Sequence, residues 1–143
     1  MTPDSDQQIR ELLETRTRAY DRRDAATAAA AYDDDLVLYD AVGPFVRRGE
    51  DPSGRLERWI ASYRTPIGHE IRDLEITAGA DLAFCHFLVR ISGTMRDGTE
   101  VAMWVRATSC LRRQSGTWTI VHEHASVPFD AGTGHAVLRS ELS

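Results

Sequence analysis

The chain has 143 residues, a length suited to one domain with one hydrophobic core. Apolar residues make up 42% of the chain and charged residues 27%, and these proportions exclude intrinsic disorder as its main state. The formal net charge is -5 and the basic residues are spread along the chain, so nucleic acid is not an expected partner.

The N-terminal sequence and the cysteines indicate the cellular compartment of the protein. No apolar run approaches the roughly 20 residues needed to cross a bilayer, and residues 1–8 lack the charged-then-apolar order of a signal peptide. Cys85 and Cys110 are too few for a disulfide framework, and both lie in apolar, strand-like runs. We therefore expect a cytoplasmic protein with two reduced core cysteines and no membrane partner.

The first thirty residues carry a helical pattern. Apolar residues recur at three- and four-residue spacing over residues 5–23, which predicts an amphipathic helix. Asp24 is a candidate N-cap for a second, Ala-rich helix over residues 25–32. The acidic run at residues 33–35 is expected to end that helix.

A short hairpin and a third helix follow. Residues 36–40 predict a strand, and residues 41–44 supply turn chemistry before Phe45 and Val46. Over residues 51–63 the sequence predicts a helix with Pro52 in its first turn. One face of that helix carries Leu56, Trp59, Ile60 and Tyr63.

The remaining sequence predicts long antiparallel strands joined by hairpins. The strand-like runs are EIRDLEIT, AFCHFLVRISGTM, VAMWVRATSCLRR and WTIVHEHASV. Pro128 ends the last run, and residues 130–143 form a tail that could be loose or docked. This order predicts one α+β domain over residues 1–143, in which three N-terminal helices pack on a strongly curved, mostly antiparallel sheet and enclose a pocket.

Two segments of the chain resemble a known superfamily. They are YDDDLVLYDAVGP at residues 32–44 and RATSCLRRQSGTWTIVHEHASVPF at residues 106–129. Both are similar to the nuclear transport factor 2-like superfamily, and most of all to its SnoaL-like and ketosteroid-isomerase-like branch. The resemblance covers about residues 9–129 and implies a cone-like, cystatin-like fold, which hosts isomerases, cyclases, dehydratases and non-catalytic domains. The second segment is also similar to the association domain of calcium/calmodulin-dependent kinases, which implies assembly.

Asp40 is the candidate catalytic residue. The resemblance implies this role, because the isomerase segment similar to residues 32–43 carries the Asp that acts as general base. Strand alternation places Leu36, Leu38 and Asp40 on one face, so this carboxylate would end an apolar row. Desolvation there would raise its pKa toward the range useful for proton abstraction. The alternative is an Asp that only begins the following turn.

Proton abstraction beside a carbonyl also requires donors for the developing oxyanion. In the resemblance, Arg16 stands where the isomerases carry a Tyr on the first helix, and Thr108 stands where they carry a second acid. Tyr32 matches a supporting Tyr of the family, and Tyr20, one turn from Arg16, offers another hydroxyl. These departures argue against a steroid isomerase and leave Arg16, Tyr20, Tyr32 and Thr108 as candidate ligand-binding residues.

A second set of candidates lies on the third long strand. Alternation places Trp104, Arg106 and Thr108 on one side of it. If this side faces the pocket, Arg106 could bind a carboxylate and Trp104 could form an apolar wall. The alternative is a structural ion pair between Arg106 and Glu123 on the neighbouring strand.

Three histidines form a candidate metal site. His122 and His124 share one strand face, and His86 could complete a metal site with them. The kinase association domains carry the same His-x-His pair without a metal, so the resemblance favours no metal here. The same resemblance places Glu123 and Ala125 toward the pocket and the two histidines on the outer, subunit-packing face.

Two further candidates have ordinary structural alternatives. His86 lies mid-strand among apolar residues, so we expect a hydrogen-bonded core residue or one that lines the edge of the pocket. Trp59 shares a helix face with core residues and could also cap the pocket mouth. The sequence has no nucleotide-binding or nucleophile-elbow motif, so no cofactor is expected.

These residues leave two main hypotheses open, besides that of a stress or pathway accessory protein whose pocket is vestigial. The first is a cofactor-independent enzyme of the isomerase, cyclase or dehydratase kind, with Asp40 as general base on a small, largely apolar carbonyl compound. The second is a non-catalytic module that binds a small ligand or assembles through its sheet. The expected partners are a small molecule in the pocket and, by the resemblance, a second copy of the chain bound through the outer sheet face.

Overall fold

The computed structural model describes residues 4–139 and 141. Within those residues the helices are α1 (Ser5–Asp21), α2 (Ala25–Ala29) and α3 (Pro52–Ala61). The strands are β1 (Tyr32–Tyr39), β2 (Arg47–Arg48), β3 (Gly68–Ala78), β4 (Leu82–Thr94), β5 (Glu100–Gln114) and β6 (Thr117–Ser126). The predicted α+β architecture is confirmed, with the helices at the N-terminal side of the chain and the long strands after them.

The strands form one curved sheet in the order β2-β1-β6-β5-β4-β3. Strands β1 and β6 are parallel, and the other neighbours are antiparallel.

The β3–β4 register shifts near Asp73, whose φ of 58° is left-handed, and such a bulge increases local twist. On β4, Gly93 has a φ of 152°, and a Cβ there would lie 2.9 Å from Cδ2 of Tyr63. Glycine therefore lets β4 pass close to the end of α3.

The helices begin at aspartate caps and pack on the inner face of the sheet. Asp4, Asp24 and Asp51 each accept a hydrogen bond from a backbone N–H of the following turn, at 2.7, 3.1 and 3.1 Å. The inner face of α1 buries Ile9 and Leu13 completely, and each such side chain contributes about 1.5–3 kcal/mol. Arg23, after α1, donates to three backbone carbonyls at and beyond the end of α3, which joins the two helices.

The second helix is shorter than predicted. It ends at Ala29, and β1 already begins at Tyr32, so residues 33–35 lie in a strand and do not end a helix. The parallel pairing of Tyr32 with Ile120 accounts for the difference, because the Ile120 N–H donates to the Ala31 carbonyl at 2.8 Å. This long-range pairing outweighs the local helix propensity of the alanines.

The structure also corrects the predicted hairpin partner of β1 and decides between the alternatives for the C-terminal tail. The hairpin partner of β1 is Arg47–Arg48, whereas Phe45 and Val46 lie in the exposed connection. The tail docks beside β5 as far as residue 139, where the Trp104 N–H donates to the Arg139 carbonyl at 2.8 Å, and the prediction for residues 140, 142 and 143 lies outside the described residues. Over the described residues, no helix is long and apolar enough to cross a membrane.

Candidate functional site

A cavity of about 220 Å³ lies between the helices and the inner face of the sheet. Its apolar walls come from α3 and from inward-facing rows of β4 and β5. The β4 and β5 contribution is Phe87, Val89, Ile91, Met103, Val105 and Ala107. A largely apolar cavity with a few converging polar groups is the usual form of a small-molecule site.

The floor of the cavity is a buried hydrogen-bond network centred on Glu123. Arg16 Nη1 donates to Glu123 Oε2 at 2.8 Å and Oε1 at 3.1 Å, and to the Tyr32 hydroxyl at 2.8 Å. The Ser109 hydroxyl donates to Glu123 Oε2 at 2.5 Å. Tyr20 and Tyr32 have their hydroxyl oxygens 3.3 Å apart. The network therefore links α1, β1, β5 and β6.

Both members of the central ion pair are charged in the folded protein. Burial raises the pKa of the Glu123 carboxyl, but the Arg16 charge and the Ser109 hydroxyl outweigh burial and hold this pKa below its usual range. Burial also opposes the Arg16 charge, and Glu123 more than offsets this, so the pKa of Arg16 is raised. Removing either partner would leave the other charge buried and uncompensated, which destabilises the folded protein.

Beside the floor, a neutral histidine packs against an aromatic ring. The ring of His69 lies 4.9 Å from the Tyr20 ring, and its Nδ1 is 2.9 Å from the Thr17 hydroxyl. Burial, and then the nearby Arg16 charge, lower the pKa of His69 to about 3. The half-buried ring faces the cavity, so it remains neutral at physiological pH. If Nδ1 accepts from Thr17, Nε2 carries the proton and can donate to a ligand.

Asp40 lies on the cavity wall as the strand alternation predicted. Leu36 and Leu38 are buried on the same row, and Leu38 and Asp40 both line the cavity. The half-buried Asp40 carboxylate accepts a hydrogen bond from the Ala41 N–H at 2.7 Å. The chain bends directly after it, at residues 41–45, so the residue both precedes a turn and faces the cavity.

Other predicted residues gather at the same cavity. Arg16, Tyr20, Tyr32, Trp59 and Glu123 all line it, and their roles toward a ligand remain predictions. The Trp59 ring packs edge-on against the Tyr20 ring, with 5.2 Å between centroids. Trp59 therefore contacts both the core and the cavity.

The row of Trp104, Arg106 and Thr108 does not face this cavity. The inward side of β5 is instead the row of Met103, Val105 and Ala107. Trp104 is buried on the outer side, where the Arg72 guanidinium lies 4.6 Å from its ring centroid. The expectation that this row lines the pocket is therefore wrong.

The predicted ion pair between Arg106 and Glu123 is also absent. Ser109 of β5 is paired with Glu123 of β6, and neighbours in register point to the same side of a sheet. Glu123 is therefore inward with Ser109, while Arg106 is exposed on the outer face and its Nε donates to the Ser126 hydroxyl at 3.2 Å. The cation that pairs with Glu123 lies on α1.

The histidines of β4 and β6 also lie outside the cavity. His86 is exposed on the outer face with its Nε2 3.4 Å from Glu75, so the expected burial of His86 is wrong. The outward placement of His122 and His124 is confirmed, since both rings contact Tyr39 on that face. Within the described part of the chain, no cluster of three His, Cys, Asp or Glu side chains could hold a metal ion.

Sequence reasoning missed three cavity residues with basic side chains. His69 precedes the run from which the strand was recognised, and β3 in fact begins at Gly68. Arg55 lies four residues before Trp59 on α3, a spacing that could have placed it on the same face. Arg47 faces the cavity from the strand that pairs with β1, and its Nη1 is 3.2 Å from Glu50.

Breaking the central ion pair should unfold the protein more easily. We expect Glu123→Gln to lower the free energy of unfolding by about 3–5 kcal/mol, because it leaves the buried Arg16 charge unpaired. The double variant Arg16→Met, Glu123→Leu should cost less than the sum of the two single changes. Urea denaturation measures all of these values, with Asp6→Asn at the exposed Arg10 pair as control. A Glu123→Gln variant as stable as this control would show that the buried pair does not hold the fold together.

The neutral His69 should make stability depend on pH. The unfolded state binds a proton at this residue below a pKa of about 6.5, while the folded state does so only near pH 3, so stability falls as the pH is lowered between those values. The carboxyl of Glu123, with its lowered pKa, adds its own loss only below about pH 4.3. The free energy of unfolding, measured by denaturation between pH 6.5 and 4.5, should therefore fall less steeply with pH in His69→Gln than in the wild type. The exposed-residue variant His135→Gln should follow the wild type, and equal slopes in all three proteins would refute the assignment.

Comparisons with known proteins identify the fold family. The sequence model of the SnoaL-like domain matches residues 9–130. A nuclear transport factor 2-like protein of unknown function from Pseudomonas putida is 32% identical, covers 94% of each chain and superposes with a TM-score of 0.81. A proposed dehydratase of the same superfamily from Streptomyces avermitilis is 19% identical over 87% of this chain and 97% of its own, with a TM-score of 0.73.

Other structural relatives confirm the fold alone. A proposed calcium/calmodulin-dependent kinase II association domain from Xanthomonas campestris is 20% identical over 87% and 88% of the two chains, with a TM-score of 0.72. A protein from Caulobacter vibrioides with a cystatin-like fold has a TM-score of 0.73. No curated protein sequence matches the chain. The family match and the Pseudomonas relative together show that this chain belongs to the SnoaL-like family of the nuclear transport factor 2-like superfamily.

Proposed function

We propose that the cavity is the active site of a cofactor-independent enzyme of the isomerase, cyclase or dehydratase kind, acting on a small, largely apolar carbonyl compound. The observation that carries the proposal is that one apolar cavity is lined by a carboxylate, Asp40, and by the polar groups of Arg16, Tyr20 and His69. Proton abstraction beside a carbonyl needs both a base and donors for the developing negative charge.

Asp40 is the proposed general base. Its carboxylate lies on a wall whose neighbouring side chain is Leu38, and the Ala41 N–H fixes the position of one oxygen. Catalysis gains from a base that is held in place, because reorganisation is avoided during proton transfer. The second oxygen remains the proposed proton acceptor.

The proposed oxyanion donors are neutral groups. Burial raises the pKa of the Tyr20 hydroxyl well above its usual value, so this group keeps its proton at physiological pH. His69 is neutral there and has one ring nitrogen besides the one that contacts Thr17. A donor that keeps its proton stabilises a developing enolate by hydrogen bonding, as neutral acids and imidazoles do in known isomerases.

The apolar walls support the choice of substrate. Trp59, Phe87, Val89 and Met103 give the cavity a mainly hydrocarbon and aromatic surface, which favours an apolar body with one carbonyl group. The Streptomyces protein described as a proposed dehydratase is compatible with proton-abstraction chemistry on this scaffold.

Removing the charge of Asp40 should abolish this chemistry. We expect Asp40→Asn to slow deuterium incorporation next to the carbonyl of a bound ketone by about 100-fold or more, because general-base catalysis contributes about 10²–10⁴. Proton NMR in deuterated water, run over a panel of cyclic ketones and hydroxyketones, measures the exchange. Asp34→Asn, which changes an exposed carboxylate of the same strand, is the matched control. Exchange that survives in Asp40→Asn would rule out this base.

We also propose that the chain forms a homodimer through the outer face of the sheet. A groove of about 480 Å³ on this face has acidic residues of β3 on one side, Asp73 and Glu75, and basic residues of β5 and β6 on the other, Arg106 and His124. A two-fold axis can place each side against its opposite in the second copy. The exposed Phe84 ring lies on the same face and adds apolar area.

Charge reversal at the groove tests the dimer. We expect light scattering coupled to size-exclusion chromatography to give the mass of a dimer at micromolar concentration. Arg106→Glu should shift the mass toward the monomer, because it places like charges against the acidic side of the partner. Arg112→Glu, at another exposed position of β5, should remain dimeric, and a monomeric wild type would refute the proposal.

A further inference from the structure

The cavity wall carries a positive charge that the protein does not neutralise. Three arginines line the cavity, and two of them pair with acids: Arg16 with Glu123 at 2.8 Å and Arg47 with Glu50 at 3.2 Å. Among residues 4–139 and 141, no carboxylate forms an ion pair with the third, Arg55. Its guanidinium instead lies over the Tyr32 ring, 5.6 Å from the centroid.

The surroundings of Arg55 compensate its charge only in part. The side chain is half-buried at a cavity with mainly apolar walls, where part of its hydration is lost. The Tyr32 ring compensates it only in part, and that ring is shared with Arg16, whose guanidinium carbon is also 5.6 Å from the centroid. Two cations therefore use one aromatic ring, and only Arg16 has an acid of its own.

Neighbouring groups do not supply the missing acceptor. Asp40 lines the same cavity, yet it forms no ion pair with Arg55 and accepts from the Ala41 N–H. The buried Nε of Arg47 has no hydrogen-bond partner among the described residues. This wall of the cavity therefore has more donors than acceptors, the state expected where an anionic ligand group binds.

We propose that the natural ligand is an oxo acid, whose carboxylate binds Arg55 at the cavity wall. The planar guanidinium can hold a carboxylate through two parallel hydrogen bonds, and α3 presents it one turn from Trp59, which would cover the apolar body. The carbonyl oxygen then reaches the neutral donors at the floor, beside Tyr20 and His69. This assignment rests on the proposed function in so far as both place the substrate in one cavity, and it adds the charge of the substrate.

A pair of matched probes tests the assignment without knowledge of the substrate. Phenylacetate and phenylacetamide have nearly the same shape and differ in charge. We expect isothermal titration calorimetry to show tighter binding of phenylacetate, with an affinity that falls as salt is added. Arg55→Gln should weaken phenylacetate binding by about tenfold and leave phenylacetamide binding unchanged, because a hydrogen bond to a charged group is worth about one decade in affinity.

Matched variants separate this inference from the catalytic one. Arg58→Gln lies on the same helix outside the cavity and should bind both probes as the wild type does. Phenylacetate that binds no better than the amide, that does not bind at millimolar concentration, or that binds equally to Arg55→Gln would overturn the assignment. Asp40→Asn should bind phenylacetate at least as tightly as the wild type, because it removes a negative charge from the cavity, so loss of exchange with binding retained is assigned to the base. Circular dichroism confirms that each variant is folded.

Discussion

The buried pair of Arg16 and Glu123 is the interaction on which the cavity depends. Apolar residues of similar size would hold α1 against β6 at least as stably. The reason is that removing the two charges from water costs several kcal/mol for each ion. The pair instead keeps a polar floor beneath apolar walls. Ser109 and Tyr32 complete it, so four elements fix the position of one carboxylate. The floor is thereby neutral as a whole and joined by several hydrogen bonds.

Burial beside this pair sets the charge of its neighbours. Burial and the Arg16 charge keep His69 neutral, so the floor does not gather a second cation. The Tyr20 hydroxyl likewise remains protonated because it is buried. A ligand therefore meets neutral donors and an internally paired charge at the floor, whereas Asp40 and Arg55 at the wall carry charges without an ion-pair partner among the described residues. This separation fits a reaction in which the wall binds the substrate and removes a proton, while the floor stabilises the oxygen.

The sequence predicted the architecture well, because helical and strand periods over long runs are strong signals. It also placed Asp40, Tyr20 and Glu123 at the cavity. The row of Trp104 and Arg106 was misplaced because β5 has apolar residues on both sides, so alternation alone did not decide which side is inward. The register would have decided it: Ser109 opposes Glu123, so an inward Glu123 requires the row of Ser109, Ala107 and Val105 to be inward as well.

Long-range pairing also explains the other differences. The alanines before β1 favour a helix locally, but the parallel pairing with β6 extends the strand back to Tyr32, and that brings the Tyr32 hydroxyl to Arg16. Had the helix continued through Tyr32, the hydroxyl could not have reached the floor in this way, and the ring that Arg16 and Arg55 share would be missing from the cavity. The start of one strand thus determines both the polar floor and the place of the unpaired cation. A ligand carboxylate at Arg55 would supply the one charge that this arrangement lacks.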